Sequence, residues 1–124
     1  MRTQSVTYFT EREAEFVNLL IEIGMRRTVA KVLVFLANTD EATSRDIERG
    51  TDLRQPEVSI AMNYMYERDW LKSRESKAMS KGRPVKIYTL SKPIAKIMDH
   101  IEQEKKEDAR HRLEMVKKLR DYIR

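Results

Sequence analysis

Apolar residues recur along the first third of the chain at the spacing of an α-helix. In the Tyr8–Ile23 stretch, Phe16, Leu19, Leu20 and Ile23 fall on one face. Thr10, followed by Glu11 and Glu13, supplies a cap and an acidic first turn, and Gly24 stops the run. A second helix is predicted over Thr28–Ala37, with Val29, Val32, Leu33 and Leu36 as its apolar face and Asn38-Thr39-Asp40 as its exit. Thr43-Ser44-Arg45-Asp46 places a capping Thr three residues before an acid, a capping box with Asp in place of Glu. The short helix it opens turns Ile47 inward and ends near Gly50. Gln55-Pro56-Glu57 then starts another helix, since a proline is tolerated only in a first turn. Val58, Met62 and Met65 form its apolar stripe and leave Gln55, Ser59 and Asn63 together on another face.

The period changes after this helix. Trp70–Ser76 and Val85–Leu90 are rich in β-forming residues and predict two strands. Between them, Lys77 to Pro84 is punctuated by Gly82 and Pro84, which predicts a projecting hairpin loop. Ser91 is placed to cap a last helix, with Lys92 and Pro93 in its opening positions. Ile94, Met98 and Ile101 form a first apolar patch, and Leu113, Val116, Leu119 and Ile123 a second, across a polar middle. Uninterrupted, this helix runs about 30 residues, or roughly 45 Å. That exceeds what a 124-residue monomer needs to cover its own core, so a partner is implied. The stripe is too broken for a strict heptad coiled coil.

Composition narrows the class. The net charge is +5, and there is no cysteine, which excludes a disulfide framework, a thiol nucleophile and a Cys-based zinc site. No run reaches the roughly 18 apolar residues of a membrane span, and the first fifteen residues lack a secretory pattern. A cytoplasmic protein is therefore expected. The charge is unevenly placed. Met1 to Ser73 holds ten Lys/Arg against twelve Asp/Glu, and Pro93 to Arg124 nine against seven. Arg74 to Lys92 holds six cations against Glu75 alone, a surplus equal to the charge of the whole chain. A solvated loop accounts for such a block; so does an electrostatic footprint for phosphate.

The order of three helices, a short link, a helix, a strand, a basic loop, a strand and a long helix resembles the winged helix-turn-helix DNA-binding domain. Thr43 to Ile47 resembles the start of that family's positioning helix, and Leu53 to Ser59 the start of its recognition helix. Glu67 to Leu71 resembles the exit into the first wing strand, and Gly82 to Leu90 the wing and its return. The chain is most similar to small archaeal and bacterial regulators of the TrmB, ArsR and MarR types, and the resemblance points to an archaeal member. It implies an α+β fold: a winged helix-turn-helix domain over residues 1–91, including the N-terminal helix, and a C-terminal dimerisation helix over 92–124. Two positions depart from the pattern. Arg54 stands where a Ser or Thr cap is frequent, which leaves water or phosphate to cap the recognition helix, and Asp69 stands at a bend often made by glycine.

The implied function is a sequence-specific regulator that binds double-stranded DNA as a homodimer, with no cofactor and no membrane partner. Gln55, Glu57, Ser59 and Asn63 are the candidates for base edges, since Gln and Asn can pair bidentately with adenine. Glu57 suits only a cytosine amino group; otherwise it serves the positive end of its helix. Thr43, Ser44, Arg45 and Arg54 at helix starts, with Lys77, Lys81, Arg83 and Lys86 in the wing, are the candidates for backbone phosphate. Phe16, Leu19, Leu20 and Ile23, together with Ile94, Met98, Ile101, Leu113, Val116 and Ile123, are the candidate dimer surface. The last helix folding back on its own chain is the alternative.

Trp70, Ile87, Tyr88 and Leu90 read as packing, and Met62, Met65 and Met98 as core filler. Of Tyr64 and Tyr66, one must turn inward or sideways. His100 and His111 lie about 16 Å apart along one helix, too far to share a metal ion within one chain. No nucleophile elbow, phosphate-binding glycine loop or metal-ligand set appears, so an enzyme is not expected. The rival classes are a winged-helix module for protein assembly and a non-specific architectural DNA binder. The sequence names neither an operator nor an effector.

Overall fold

The computed structural model describes residues 9–76 and 84–123. Its elements are α1 (Glu11–Glu22), α2 (Arg27–Ala37), α3 (Ser44–Thr51), α4 (Gln55–Glu67), β1 (Leu71–Ser76), β2 (Val85–Leu90) and α5 (Ile94–Ile123). The fold is α+β, in the order the resemblance implies. The chain divides into two units, one up to Lys92 and one from Pro93.

In the first unit the helix starts are written locally. The Thr10 hydroxyl accepts the Glu13 N–H at 3.1 Å while the Glu13 carboxylate accepts the Thr10 N–H at 3.0 Å. This closes a capping box and sets the first residue of α1. The core is built around α2. Val29, Ala30, Val32, Leu33 and Val34 have no exposed surface, and Leu36 is buried as well. The four-residue face expected from spacing is thus too narrow: α1, α3 and α4 all pack on α2, and a helix enclosed this way is apolar nearly all round. Val17 and Leu20 of α1, Ile47 of α3, Val58, Ala61, Met62 and Met65 of α4, and Trp70 complete this core. Each fully buried Val, Leu or Ile contributes about 1.5–3 kcal/mol.

The chain leaves α4 through a left-handed residue. Asp69 has φ 62°, the Trp70 N–H reaches back to the Met65 carbonyl at 2.9 Å, and the Asp69 N–H reaches Tyr66 at 3.0 Å. This pair of bonds is the Schellman ending of a helix, which turns the chain sharply into β1. β1 and β2 pair antiparallel from Leu71↔Leu90 to Ser76↔Val85. The other side of β2 is paired as well: the Ala42 N–H donates to the Tyr88 carbonyl at 3.2 Å and the Tyr88 N–H to the Ala42 carbonyl at 2.8 Å. The segment before α3 thereby joins the sheet, a contact the strand pattern did not predict.

The second unit is α5, 30 residues long. The Pro93 carbonyl accepts the N–H groups of Lys96 and Ile97 and so marks its start. Ser91, expected to be the cap, sends its hydroxyl elsewhere: it donates to the Asp69 carbonyl at 2.5 Å. The Ser91 N–H donates to the Trp70 carbonyl at 2.8 Å. Together the two bonds tie the end of the hairpin to the turn after α4. Beyond Ile101, α5 carries solvated charges in intrahelical pairs, Glu102–Lys106 at 3.3 Å and Glu107–Arg110 at 3.4 Å.

Candidate nucleic-acid interface

α3 and α4 are joined by only Asp52, Leu53 and Arg54. Asp52 adopts φ 58°, and the Leu53 N–H bonds back to the Glu48 carbonyl at 3.2 Å, which reverses the chain tightly. The last turn of α3 is held from two sides. The buried Thr51 hydroxyl donates to the Ile47 carbonyl at 2.6 Å, and Lys31 Nζ of α2 donates to the Thr51 carbonyl at 3.2 Å. Burial, and then the neighbouring Arg27, lower the Lys31 pKa; Asp52 and Glu57 pull it back up.

At the start of α3 the expected capping box is present. Thr43 Oγ1 accepts the Asp46 N–H at 3.1 Å and Asp46 Oδ2 accepts the Thr43 N–H at 3.0 Å. Thr43 is therefore spent on capping, and a carboxylate stands at the helix end considered for phosphate. The Ser44 and Arg45 amides are the first-turn donors that the box does not use, and the Arg45 side chain is exposed.

The start of α4 is met by an acid of its own first turn. Glu57 Oε1 accepts the Arg54 N–H at 2.9 Å. The carboxylate thus stands at the positive end of its own helix, the alternative to a base contact, while the Arg54 side chain makes no capping bond to the first turn. Gln55 Nε2 donates to Ser59 Oγ at 3.1 Å, which aligns two of the base-contact candidates along one edge of the helix. Asn63 is exposed near the middle of the outward face. Beside it stands Ile60, 49% exposed, which the sequence reading passed over. The signal was present, because Ile60 falls nearly opposite the Val58–Met62–Met65 stripe. An apolar residue there is not core filler, and its methyl groups suit the methyl group of thymine.

The aromatic residues separate into two sorts. Trp70 is wholly buried. Tyr64 meets it edge to face with ring centroids 6.0 Å apart, and the Arg68 guanidinium lies 3.6 Å over the Tyr64 ring. Tyr64 is thus the tyrosine that turns sideways, while Tyr66 stays 40% exposed.

Lys77, Lys81 and Arg83 lie outside the described residues. On the strands, Lys86 is exposed and stands across the ladder from Glu75. Arg74 is bound to Glu41 at 2.6 Å. Two of the six cations in the basic block therefore face acids.

The apolar candidates also divide. On α1, Leu19 and Ile23 are exposed, Phe16 is half-buried and Leu20 is buried within the first unit. Leu20 is therefore a core residue and not part of a free surface. On α5, Ile94 and Met98 are half-buried, Ile101 is buried, and Leu113, Val116, Leu119, Tyr122 and Ile123 are exposed. Among the described residues, no group of three or more His, Asp or Glu side chains could hold a metal ion, and no helix is long and apolar enough to cross a membrane.

No protein-family model matches the chain, and no curated protein matches it. Solved structures do. A possible transcriptional regulator from Methanosarcina mazei Go1 is similar with a TM-score of 0.58 and 16% identity, over 81% of this chain and 82% of that one. A disulfide-formed AbfR overlaps at TM-score 0.43 and 18% identity, over 83% of each chain. ZitR from Lactococcus lactis, a mutant in apo form, overlaps at TM-score 0.43 and 22% identity, over 80% of this chain and 69% of that one. At this identity the likeness to the first of these is one of fold.

Proposed function

We propose that the chain is a cytoplasmic, sequence-specific regulator of transcription that binds double-stranded DNA as a homodimer, with α4 in the major groove. The observation that carries this reading is the outward face of α4. It is set by a three-residue turn after α3 and presents Gln55, Ser59, Ile60 and Asn63, with no charge among them. Such a face reads base edges and methyl groups; it does not simply attract phosphate. Affinity then comes from Arg45 and Arg54 at the helix starts and from Lys77, Lys81, Arg83 and Lys86 in the hairpin. The shared fold with a possible transcriptional regulator is in keeping with it. In a homodimer, two copies of α4 enter successive major grooves, about 34–36 Å apart.

The exposed Ile60 also favours a second reading, a module that docks another protein through α4. Binding to a random duplex pool separates the readings. The regulator enriches a palindromic consensus, with affinity that falls as salt rises. Lys81→Ala and Arg83→Ala each lower the salt slope by about 1, and Gln55→Ala relaxes selectivity at particular base pairs. Enrichment without consensus means an architectural binder. No duplex binding at low salt overturns the DNA reading and leaves the protein-docking one.

A further inference from the structure

The apolar residues of α5 are arranged as a mirror image. Ile94 and Ile123, Met98 and Leu119, and Ile101 and Val116 are equidistant from a point between Asp108 and Ala109. At 100° per residue all six fall within an arc of roughly 60°. The outer three of these, Val116, Leu119 and Ile123, are 48%, 63% and 81% exposed, which leaves an apolar face uncovered in the single chain. Charges follow the same symmetry with reversed sign. Lys96 mirrors Asp121, Asp99 mirrors Lys118, and Glu107 mirrors Arg110, all on the side of the helix away from the apolar arc.

We infer that α5 pairs antiparallel with α5 of a second copy, about a two-fold axis between Asp108 and Ala109. This rests on the homodimer reading and gives it a direction and a register. A two-fold interface places residue i of one copy against residue j of the other and j against i, so a mirrored sequence is self-complementary. The exposed Leu119 and Ile123 then meet Met98 and Ile94 of the second copy, which are half-buried and retain surface, whereas Ile101, opposite Val116, is already buried in the single chain. Parallel pairing opposes like charges instead. Residues 99–108 hold five acids and two lysines, whereas 109–118 hold four Lys/Arg and one acid. Antiparallel pairing sets the first stretch against the second. The one like-charged mirror pair, Lys105 with Arg112, has Asp108 of the opposite helix one turn away.

The chain has no cysteine, so single cysteines report the register directly. The full chain is first sized by sedimentation equilibrium, then treated with a short bismaleimide. Ala109→Cys, at the axis, links to its own copy. Met98→Cys and Leu119→Cys do not link alone, since the two copies of residue 119 lie about 31 Å apart, but they link when mixed. A dimer in which Leu119→Cys links to itself, or in which the mixture fails to link, overturns the antiparallel arrangement and leaves the homodimer standing. A chain that sediments as a monomer overturns both.

Discussion

Gly50 lies so close to Phe35 that a β-carbon on it would overlap the phenyl ring. Glycine inside a helix costs about 0.5–1 kcal/mol relative to alanine, and here it lets α3 approach α2. Gly50→Ala is expected to destabilise the protein by about 1–3 kcal/mol despite its better helix propensity. Urea unfolding reads the loss, and adding Phe35→Leu should recover part of it. A stabilised Gly50→Ala would mean that the ring moves aside freely.

Asp69 holds a left-handed conformation that only glycine adopts without strain. Asp69→Gly is expected to leave stability unchanged or raise it by up to about 1 kcal/mol. Asp69→Val should lower it by about 1–2 kcal/mol. Thermal melts that rank valine above glycine would contradict the Schellman ending of α4.

Folding lowers the Lys31 pKa, chiefly by burial. Between that lowered value and the ordinary lysine value, the unfolded chain binds more protons than the folded one. Stability therefore gains an upward contribution as pH rises through this window. Lys31→Met removes that contribution, together with the bond to the Thr51 carbonyl. Urea midpoints followed into the alkaline range should diverge between the two proteins. Parallel curves would show that Lys31 is charged at no extra cost in the folded state.

The Arg74–Glu41 pair is about half exposed on both sides, so its contribution to stability is at most about 1 kcal/mol. Its larger effect is electrostatic. Glu41→Gln leaves Arg74 unneutralised beside the hairpin and should strengthen duplex binding at low salt, with a steeper salt dependence. Unchanged titrations across salt would place this edge of the sheet away from the DNA.

On α4, Asn63→Ala and Ile60→Ala should each cost about 1–3 kcal/mol of discrimination at one base pair, while binding to unrelated duplex stays the same. For Ile60 the affected pair should carry a thymine. Uniform weakening on every sequence would instead mean that these residues only support the backbone contacts.

Whatever depends on neighbours three or four residues apart was legible in the chain alone. Thr10 with Glu13, and Thr43 with Asp46, announce two helix starts. Pro56 and the Val58–Met62–Met65 spacing announce a third, and the Gly82–Pro84 break divides two strands. The mirrored pattern of α5 is also there to be read. Tertiary structure decided the rest, because it depends on which distant groups packing brings together. Ser91 leaves the cap it was suited for to bond Asp69, 22 residues away. Glu41 finds Arg74 across 33 residues and subtracts a cation from the basic block. Ala42 joins a sheet that its own stretch does not encode. Leu20 goes into the core while Ile60 is left out of it. Periodicity says that a helix has an apolar side; only its neighbours determine how far that side is covered.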